Sequence, residues 1–178
     1  LENKIEAYTL PQGVMAHLWR QIAGNKPGVI TKVGLGTFVD PRLEGGKANS
    51  KATEDLVKVI ELDGEEWLQY KTFPIDVAVV RGTTVDEKGN VTMEHEPLFL
   101  ESISMAMAAK RCGGIVIVQA QYLAKEGTLD PQRVKIPGVL VDYVVLSKPE
   151  NHMQTIGTVY NPALSGQSKM PLSEFPKL

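Results

Sequence analysis

Cysteine is nearly absent from this sequence, which limits both its chemistry and its setting. Cys112 is the single cysteine in 178 residues, so no disulfide can form within the chain. We interpret it as a small buried residue of a reduced, cytoplasmic protein, because disulfides are rare in reducing compartments. A catalytic thiol would need a basic partner in space, and the sequence cannot locate one.

An excess of charge of one sign and long apolar runs are also lacking. The formal net charge is -2, without the basic excess that is typical of nucleic-acid-binding proteins. No run reaches the roughly 18 apolar residues of a membrane-spanning helix, and no signal peptide is visible. The composition therefore argues against nucleic-acid and membrane partners and predicts a globular protein of about one domain.

The two ends of the sequence indicate a piece of something longer. The chain opens on Leu1 rather than Met, in the middle of a pattern, and its last twenty residues are rich in Pro, Ser and Lys. Such a composition is typical of linkers. We expect an α/β domain over residues 1–158 and the start of a linker over residues 159–178.

Helical and strand periodicities alternate along the chain. The spacing predicts one helix from Pro11 to about Gly24 and a second from Pro97 to Gly113. The Asp63-Gly64 pair lies between two strand-like runs, which is a strong hairpin signal. Strands are expected at residues 5–10, 28–33, 57–62, 67–70, 77–81, 91–93, 115–118 and 138–146.

Three of these strands are continuous apolar runs, VAVVR at 77–81, IVIV at 115–118 and GVLVDYVVL at 138–146. Runs of this kind are typical of parallel strands that are buried on both faces. The sequence therefore predicts an α/β fold whose largely parallel sheet is covered by helices, with an antiparallel hairpin insertion.

The glycine pair in KVGLGTFVD is the clearest candidate for a ligand loop. The dinucleotide fingerprint needs a third glycine and an immediate helix, but Val39 stands at that position and Asp40-Pro41 follows. A phosphate-binding P-loop would need Gly-Lys-Ser/Thr, which is absent. Nucleotide binding is excluded, and the choice between a ligand contact at the sheet edge and a structural turn stays open.

Other catalytic patterns are weak. The three histidines, His17, His95 and His152, are not clustered at the spacing of a zinc site. We interpret His95 with Glu94 and Glu96 as a solvated loop rather than a metal site. No G-x-S-x-G nucleophile elbow is present. The residues alone predict an α/β domain with a small-molecule site at a sheet edge.

The order of motifs resembles that of the class I CoA-transferases. Within this family, the resemblance is strongest to the fused-chain acetate, propionate and acetoacetate CoA-transferases of bacteria. The resemblance covers nearly all of residues 2–165. It is carried by five segments: IEAYTLPQGVMAHLWRQIAG, GVITKVGLGTFVDPRLEGGK, LDGEEWLQYKTFPIDVAVVRGTTVDEKGNVTME, GGIVIVQ and KIPGVLVDYVV.

The resemblance implies a Rossmann-like α/β fold and an activity. Such enzymes move coenzyme A between short-chain carboxylic acids by a ping-pong mechanism through a glutamyl-CoA thioester, with acyl-CoA as substrate and no metal or cofactor. Their active site lies between two related halves. The nucleophilic glutamate belongs to the second half, so this chain holds no catalytic residue, and neither Glu44 nor Glu96 matches the motif.

The chain is then most of the first, or alpha, half, with the first βα unit upstream of Leu1. It is expected to be inactive alone, with the missing half as its partner in a homo-oligomer. The resemblance assigns substrate contact to five residues: Gln12, Gly34, Gly36, Thr37 and Phe38. Helix capping for Gln12 and core packing for Phe38 are the structural alternatives.

Two other functions compete with this interpretation. The segment could be a non-catalytic α/β module that self-associates through apolar faces. A sugar-phosphate isomerase of the same broad fold is weaker, since KVGLGTFVD has no evident basic partner for a phosphate.

Overall fold

The computed structural model describes residues 3–174, and the chain divides into two compact units. Unit 1 is Leu1–Ile75 and unit 2 is Asp76–Leu178. These units are not the predicted domain at residues 1–158 and linker at residues 159–178. That predicted division refers to the longer parent protein and stays a prediction. Residues 175–178 of that linker lie outside the described residues.

Unit 1 consists of one helix and a three-stranded antiparallel sheet. The helix is α1 (Gln12–Ala23), and the strands are β1 (Gly28–Thr31), β2 (Val57–Leu62) and β3 (Glu65–Lys71). Strand β3 lies in the centre, between β1 and β2. The predicted β2–β3 hairpin is confirmed. Its turn residues Asp63 and Gly64 both have positive φ, 53° and 77°, which suits the twist of a tight hairpin.

Helix α1 follows its predicted bounds because its apolar residues recur on one face. Val14, Leu18 and Ile22 are buried, while Pro11 precedes the helix and Gly24 ends it. The predicted strand at residues 5–10 is wrong, since only a single bridge between Tyr8 and Lys47 forms there.

Unit 2 is built around a four-stranded, largely parallel sheet. Its elements are β4 (Val77–Asp86), β5 (Val91–Thr92), α2 (Ser102–Arg111), β6 (Ile115–Ala124) and β7 (Tyr143–Leu146). The strand order is β5-β4-β6-β7. The pairs β4–β6 and β6–β7 are parallel, and β5 is antiparallel to β4. The predicted α/β class with a largely parallel sheet is confirmed.

Several boundaries in unit 2 differ from the prediction. Strands β4 and β6 continue to Asp86 and Ala124, beyond the predicted ranges 77–81 and 115–118. Helix α2 begins at Ser102, several residues after Pro97. The run at 138–146 opens with a 3-10 turn at Gly138–Leu140 before β7. A Cβ at Gly138 would overlap the backbone of Lys88, so tertiary contact with the preceding turn interrupts what reads locally as one strand.

The two faces of the parallel sheet differ in burial. Helix α2 packs against β4 and β6, and alternate residues such as Ala78, Val80 and Val116 are buried. On the opposite face Val79 is 67% exposed. The expectation that the run at 77–81 is buried on both faces is therefore wrong within this chain.

Candidate functional site

The loop at residues 34–38 is a set of tight turns at the end of β1. Gly34 and Gly36 have φ of 101° and 70°, in the region that favours glycine. A Cβ at Gly34 would overlap Tyr70 Oη and Val39 Cγ2, whereas Gly36 borders open space. No helix follows before residue 57, which agrees with the exclusion of a dinucleotide fingerprint.

Thr37 and Phe38 form the exposed end of this loop. The Thr37 hydroxyl donates to the Gly34 carbonyl at 2.8 Å. Phe38 is 48% exposed, so core packing does not explain it. An exposed aromatic ring can form one wall of an apolar pocket.

Gln12 is the first residue of α1 and is exposed. The residue before it, Pro11, takes the N-cap position, and no side chain caps the first turn. The capping alternative for Gln12 is therefore not adopted. An exposed amide at a helix start can donate to a ligand oxygen.

The segment before α1 and the glycine loop meet at one residue, Gly46. The amide of Thr9 donates to the Gly46 carbonyl at 2.7 Å, and the Gly46 amide donates to the Phe38 carbonyl at 3.1 Å. These two bonds connect the segment that leads to Gln12 and the last residue of the loop to the same residue, Gly46.

A cavity of about 680 Å³ in unit 1 borders both segments. Its lining includes Pro11 and Gly13, which flank Gln12 in the chain, and Val33, which precedes Gly34. The five predicted residues themselves are not part of the lining. The structure thus brings their neighbours to one cavity, and the substrate roles of the five residues stay predictions.

Sequence reasoning missed the buried carboxylate of Asp40. It is 1% exposed, accepts the Gly36 amide at 2.9 Å and pairs with Arg42 at 2.8 Å. The hydrogen bond from the Arg42 guanidinium, followed by that from Gly36, holds the pKa of Asp40 well below its usual range. The short spacing in Asp-Pro-Arg is the signal that could have indicated this turn.

Unit 2 contains a buried polar cluster that has no sequence signal, because its members lie far apart in the chain. Arg81 Nη2 lies 3.3 Å from Glu96 Oε1, and His152 Nε2 lies 3.3 Å from the same oxygen. Arg81 Nη1 also donates to the Met153 carbonyl at 2.8 Å. The His152 ring is only 3% exposed.

His95 belongs to the edge of this cluster, and its interpretation as part of a solvated loop is wrong. It is half-buried, its ring centroid is 4.4 Å from that of Tyr160, and its Nδ1 atom is 3.2 Å from Gln121 Oε1. The cavity among these residues measures about 10 Å³, which is too small for an acyl group. We interpret the cluster as structural.

Cys112 is exposed, so its interpretation as a buried residue is wrong. It takes the C-cap position at the carboxyl end of α2, a position that faces outward when a short helix ends.

Within residues 3–174, no group of three or more His, Cys, Asp or Glu side chains could hold a metal ion. Nor does any helix in that range have the length and apolar character to cross a bilayer.

Comparison with known proteins identifies the family. The model of the family described as Coenzyme A transferase matches residues 1–147. The chain belongs to this family, and the resemblance found in the sequence is confirmed.

Three relatives show which members of the family this chain is similar to. It is 57% identical over 177 residues to the caffeate CoA-transferase of Acetobacterium woodii, covering 99% of this chain and 34% of that protein. It is 34% identical over 148 residues to the acetoacetyl-CoA:acetate/butyrate CoA transferase alpha subunit of Clostridium acetobutylicum, covering 80% of this chain and 57% of that subunit.

The third is a crystal structure, the apoenzyme of the acyl-CoA transferase YdiF from Escherichia coli O157:H7. It superposes with a TM-score of 0.89 at 44% identity and covers 96% of this chain and 33% of that one. The chain therefore spans about a third of the length of the two larger relatives, and the likeness to an alpha subunit agrees with a position in the first half.

Proposed function

We propose that this chain is part of the first half of a CoA-transferase that exchanges coenzyme A between an acyl-CoA and a free short-chain carboxylic acid. The observation that carries the proposal is the family match over residues 1–147. The relatives named for caffeate, acetate and butyrate support a carboxylic acid as the acceptor.

The proposed reaction is a ping-pong exchange on a glutamate outside residues 1–178. The glutamate oxygen attacks the thioester carbonyl, the C–S bond breaks, and an acyl-glutamyl anhydride and CoA thiolate result. The thiolate then attacks the glutamyl carbonyl, releases the first acid as a carboxylate and forms a glutamyl-CoA thioester. A second carboxylate reverses these steps. Covalent catalysis of this kind divides one difficult exchange into easier ones.

In this scheme, unit 1 supplies a wall of the acyl site. The Gln12 amide would donate to the carbonyl oxygen that becomes negative in each tetrahedral intermediate. The exposed ring of Phe38 and the methyl of Thr37 would contact the acyl group, and Gly34 and Gly36 allow the backbone to approach it. The exposure of Gln12 and Phe38 supports these roles.

The proposal extends to partners and setting. The second half of the enzyme supplies the nucleophile, the parent protein is a homo-oligomer, and CoA takes part as substrate without a further cofactor or metal. A cytoplasmic location fits the exposed free thiol of Cys112, since such thiols persist in reducing compartments.

The test uses the full-length protein that contains these residues. Acetate, propionate, acetoacetate, butyrate and caffeate are offered in turn with acetyl-CoA, and the covalent intermediate is located by peptide mass mapping after the acyl-CoA is added alone. We expect exchange with the short-chain acids and a CoA adduct on a glutamate outside residues 1–178.

An acylated glutamate within this chain, or CoA exchange by the isolated 178 residues at enzyme-like rates, would contradict the proposal. Exchange with caffeate alone would retain the reaction and overturn the substrate class.

Self-association of the isolated chain is the second candidate, and the exposed face of the unit 2 sheet favours it. Apolar residues from three neighbouring parallel strands share this face, where they are exposed: Val77, Val79, Ile115, Tyr143 and Val145. Parallel sheets are normally covered on both faces, and a large exposed apolar patch promotes association.

A further inference from the structure

Asp40 has the most heavily engaged carboxylate of unit 1 within the described chain. Oδ2 accepts the Gly36 amide at 2.9 Å and Arg42 Nη2 at 2.8 Å. Oδ1 accepts the Arg42 amide and Nε, both at 3.0 Å. Because the side chain is 1% exposed, water cannot replace these partners, and each would be costly to leave unpaired.

The backbone of Asp40 ties together the two sides of the same loop. Its amide donates to the Thr37 carbonyl at 2.9 Å, and its carbonyl accepts from Leu43 at 2.9 Å and from Gly45 at 3.1 Å. The residue is therefore bonded to the glycine turn before it and to the turns after it. A change at Asp40 would release both.

The carboxylate matters more here than the outer ion pair. Arg42 Nη1 also contacts both carboxylate oxygens of Glu66, at 3.0 and 2.9 Å, but both of these side chains are about half exposed. Exposed ion pairs contribute little, whereas the buried side of Arg42 makes a bidentate pair of fixed geometry.

We propose that Asp40 is a positioning residue for the acyl substrate: its buried carboxylate holds the Gly36 amide and thereby fixes the loop that presents Thr37 and Phe38. This role rests on the proposed function of the loop. Asp40 touches no reacting atom and acts through the loop. Misplacement of a substrate-positioning group by about 1 Å can cost on the order of 10²-fold in rate.

The first experiment is Asp40→Asn in the full-length protein. An asparagine keeps the shape but has one acceptor oxygen and no charge. It can replace Oδ1 or Oδ2 but not both, so the bidentate pair with Arg42 is lost. We expect kcat/KM to fall by about 10²-fold, mainly through KM for the acid. We expect the selectivity between acetate and butyrate to change by about tenfold.

A merely structural role would have a different signature. Loss of folded protein would lower the apparent kcat for every acid alike and leave KM and selectivity unchanged. Hydrogen exchange of peptides covering residues 33–43 gives an independent readout, and we expect at least about tenfold faster exchange there in the variant. Glu65→Gln is the matched control, because it removes only the exposed pair with Lys32, the residue that follows β1.

Two further variants separate the possible failures. Arg42→Lys retains a cation but loses the bidentate pair with Asp40. It should therefore fold even if Asp40→Asn does not. We expect it to change KM and selectivity in the same direction as Asp40→Asn, but by a smaller factor. Phe38→Ala tests the loop directly. If Phe38→Ala leaves acyl selectivity unchanged, the acyl site is misplaced and the role of Asp40 falls with it. If Phe38→Ala changes selectivity while the folded Asp40 and Arg42 variants do not, only the positioning role is overturned.

Discussion

The Nε2 atom of His152 lies 3.3 Å from the Oε1 atom of Glu96, and both side chains are largely buried in unit 2. The same Glu96 oxygen lies 3.3 Å from Arg81 Nη2. One carboxylate thus faces a guanidinium and an imidazole at once. Protonation of His152 would place a second cation beside Arg81, and the two cations would share the Glu96 carboxylate.

This arrangement predicts that stability falls at mildly acidic pH. Burial lowers the pKa of His152 from its ordinary value of 6.5, Arg81 lowers it further, and Glu96 only partly opposes them. The unfolded chain therefore binds the proton more readily. The stability that the neutral ring contributes is complete above pH 6.5 and is lost as the pH falls through the folded pKa. One proton limits the loss to about 1.4 kcal/mol per pH unit.

Urea unfolding of the wild type and His152→Asn between about pH 5 and pH 8 checks this. The variant should show a shallower loss of unfolding free energy on acidification. Exposed His17 is the control, and His17→Asn should keep the wild-type dependence. Identical slopes for wild type and His152→Asn would show that His152 does not titrate as proposed.

Alanine at the two loop glycines should have unequal costs. Both glycines have positive φ, which costs an alanine about 1 kcal/mol or more. At Gly34 the new Cβ would also overlap Tyr70 and Val39, while at Gly36 it meets open space. We expect a loss of about 1 kcal/mol for Gly36→Ala and about 3 kcal/mol for Gly34→Ala, measured by urea unfolding. Equal losses would mean that the tight packing around Gly34 does not exist.

Gln12→Ala in the full-length enzyme should lower kcat with little change in stability. If its amide stabilises the oxyanion, the loss is about 10²-fold to 10³-fold, as for other oxyanion donors. Arg20→Ala is the control, because Arg20 is exposed on the same helix and does not line the cavity. A normal kcat for Gln12→Ala would remove this residue from the chemistry.

The isolated chain should associate through the exposed face of the unit 2 sheet. Light scattering over a concentration series measures the association, and Val79→Lys should reduce it because a charge then has to be buried. Ile156 is also exposed but lies outside the strands, so Ile156→Lys is the control. If neither substitution reduces the association, the chain associates through another surface.

Local pattern was a good guide wherever neighbouring residues decide the outcome. Helix α1 and the Asp63-Gly64 turn follow directly from apolar spacing and turn chemistry. The strand predicted at residues 5–10 failed because its residues alternate well but find only one bridging partner, Lys47. The run at 138–146 failed at its start because the backbone of Lys88 crowds Gly138.

Parts of the candidate site could be predicted from the sequence, and other parts could not. The order of motifs was sufficient to assign the family and to select Gln12 and the glycine loop. The burial of Asp40 and the exposure of Phe38 could not be read from spacing, since each depends on which distant residues pack around it. For the same reason Cys112, a small residue beside an apolar run, was expected inside and lies outside.

The amino-acid pattern alone was enough for the α/β class, the positions of most helices and strands and membership of the Coenzyme A transferase family, because these properties depend on short-range periodicity and on motif order. The meeting of His152 with Glu96, the engagement of Asp40 by Gly36 and Arg42, and the uncovered face around Val79 were settled by the folded chain. The first and the last depend on residues that lie far apart in the chain. The Asp-Pro-Arg spacing indicates a turn at Asp40, but the burial of its carboxylate depends on three-dimensional packing, which local pattern does not record.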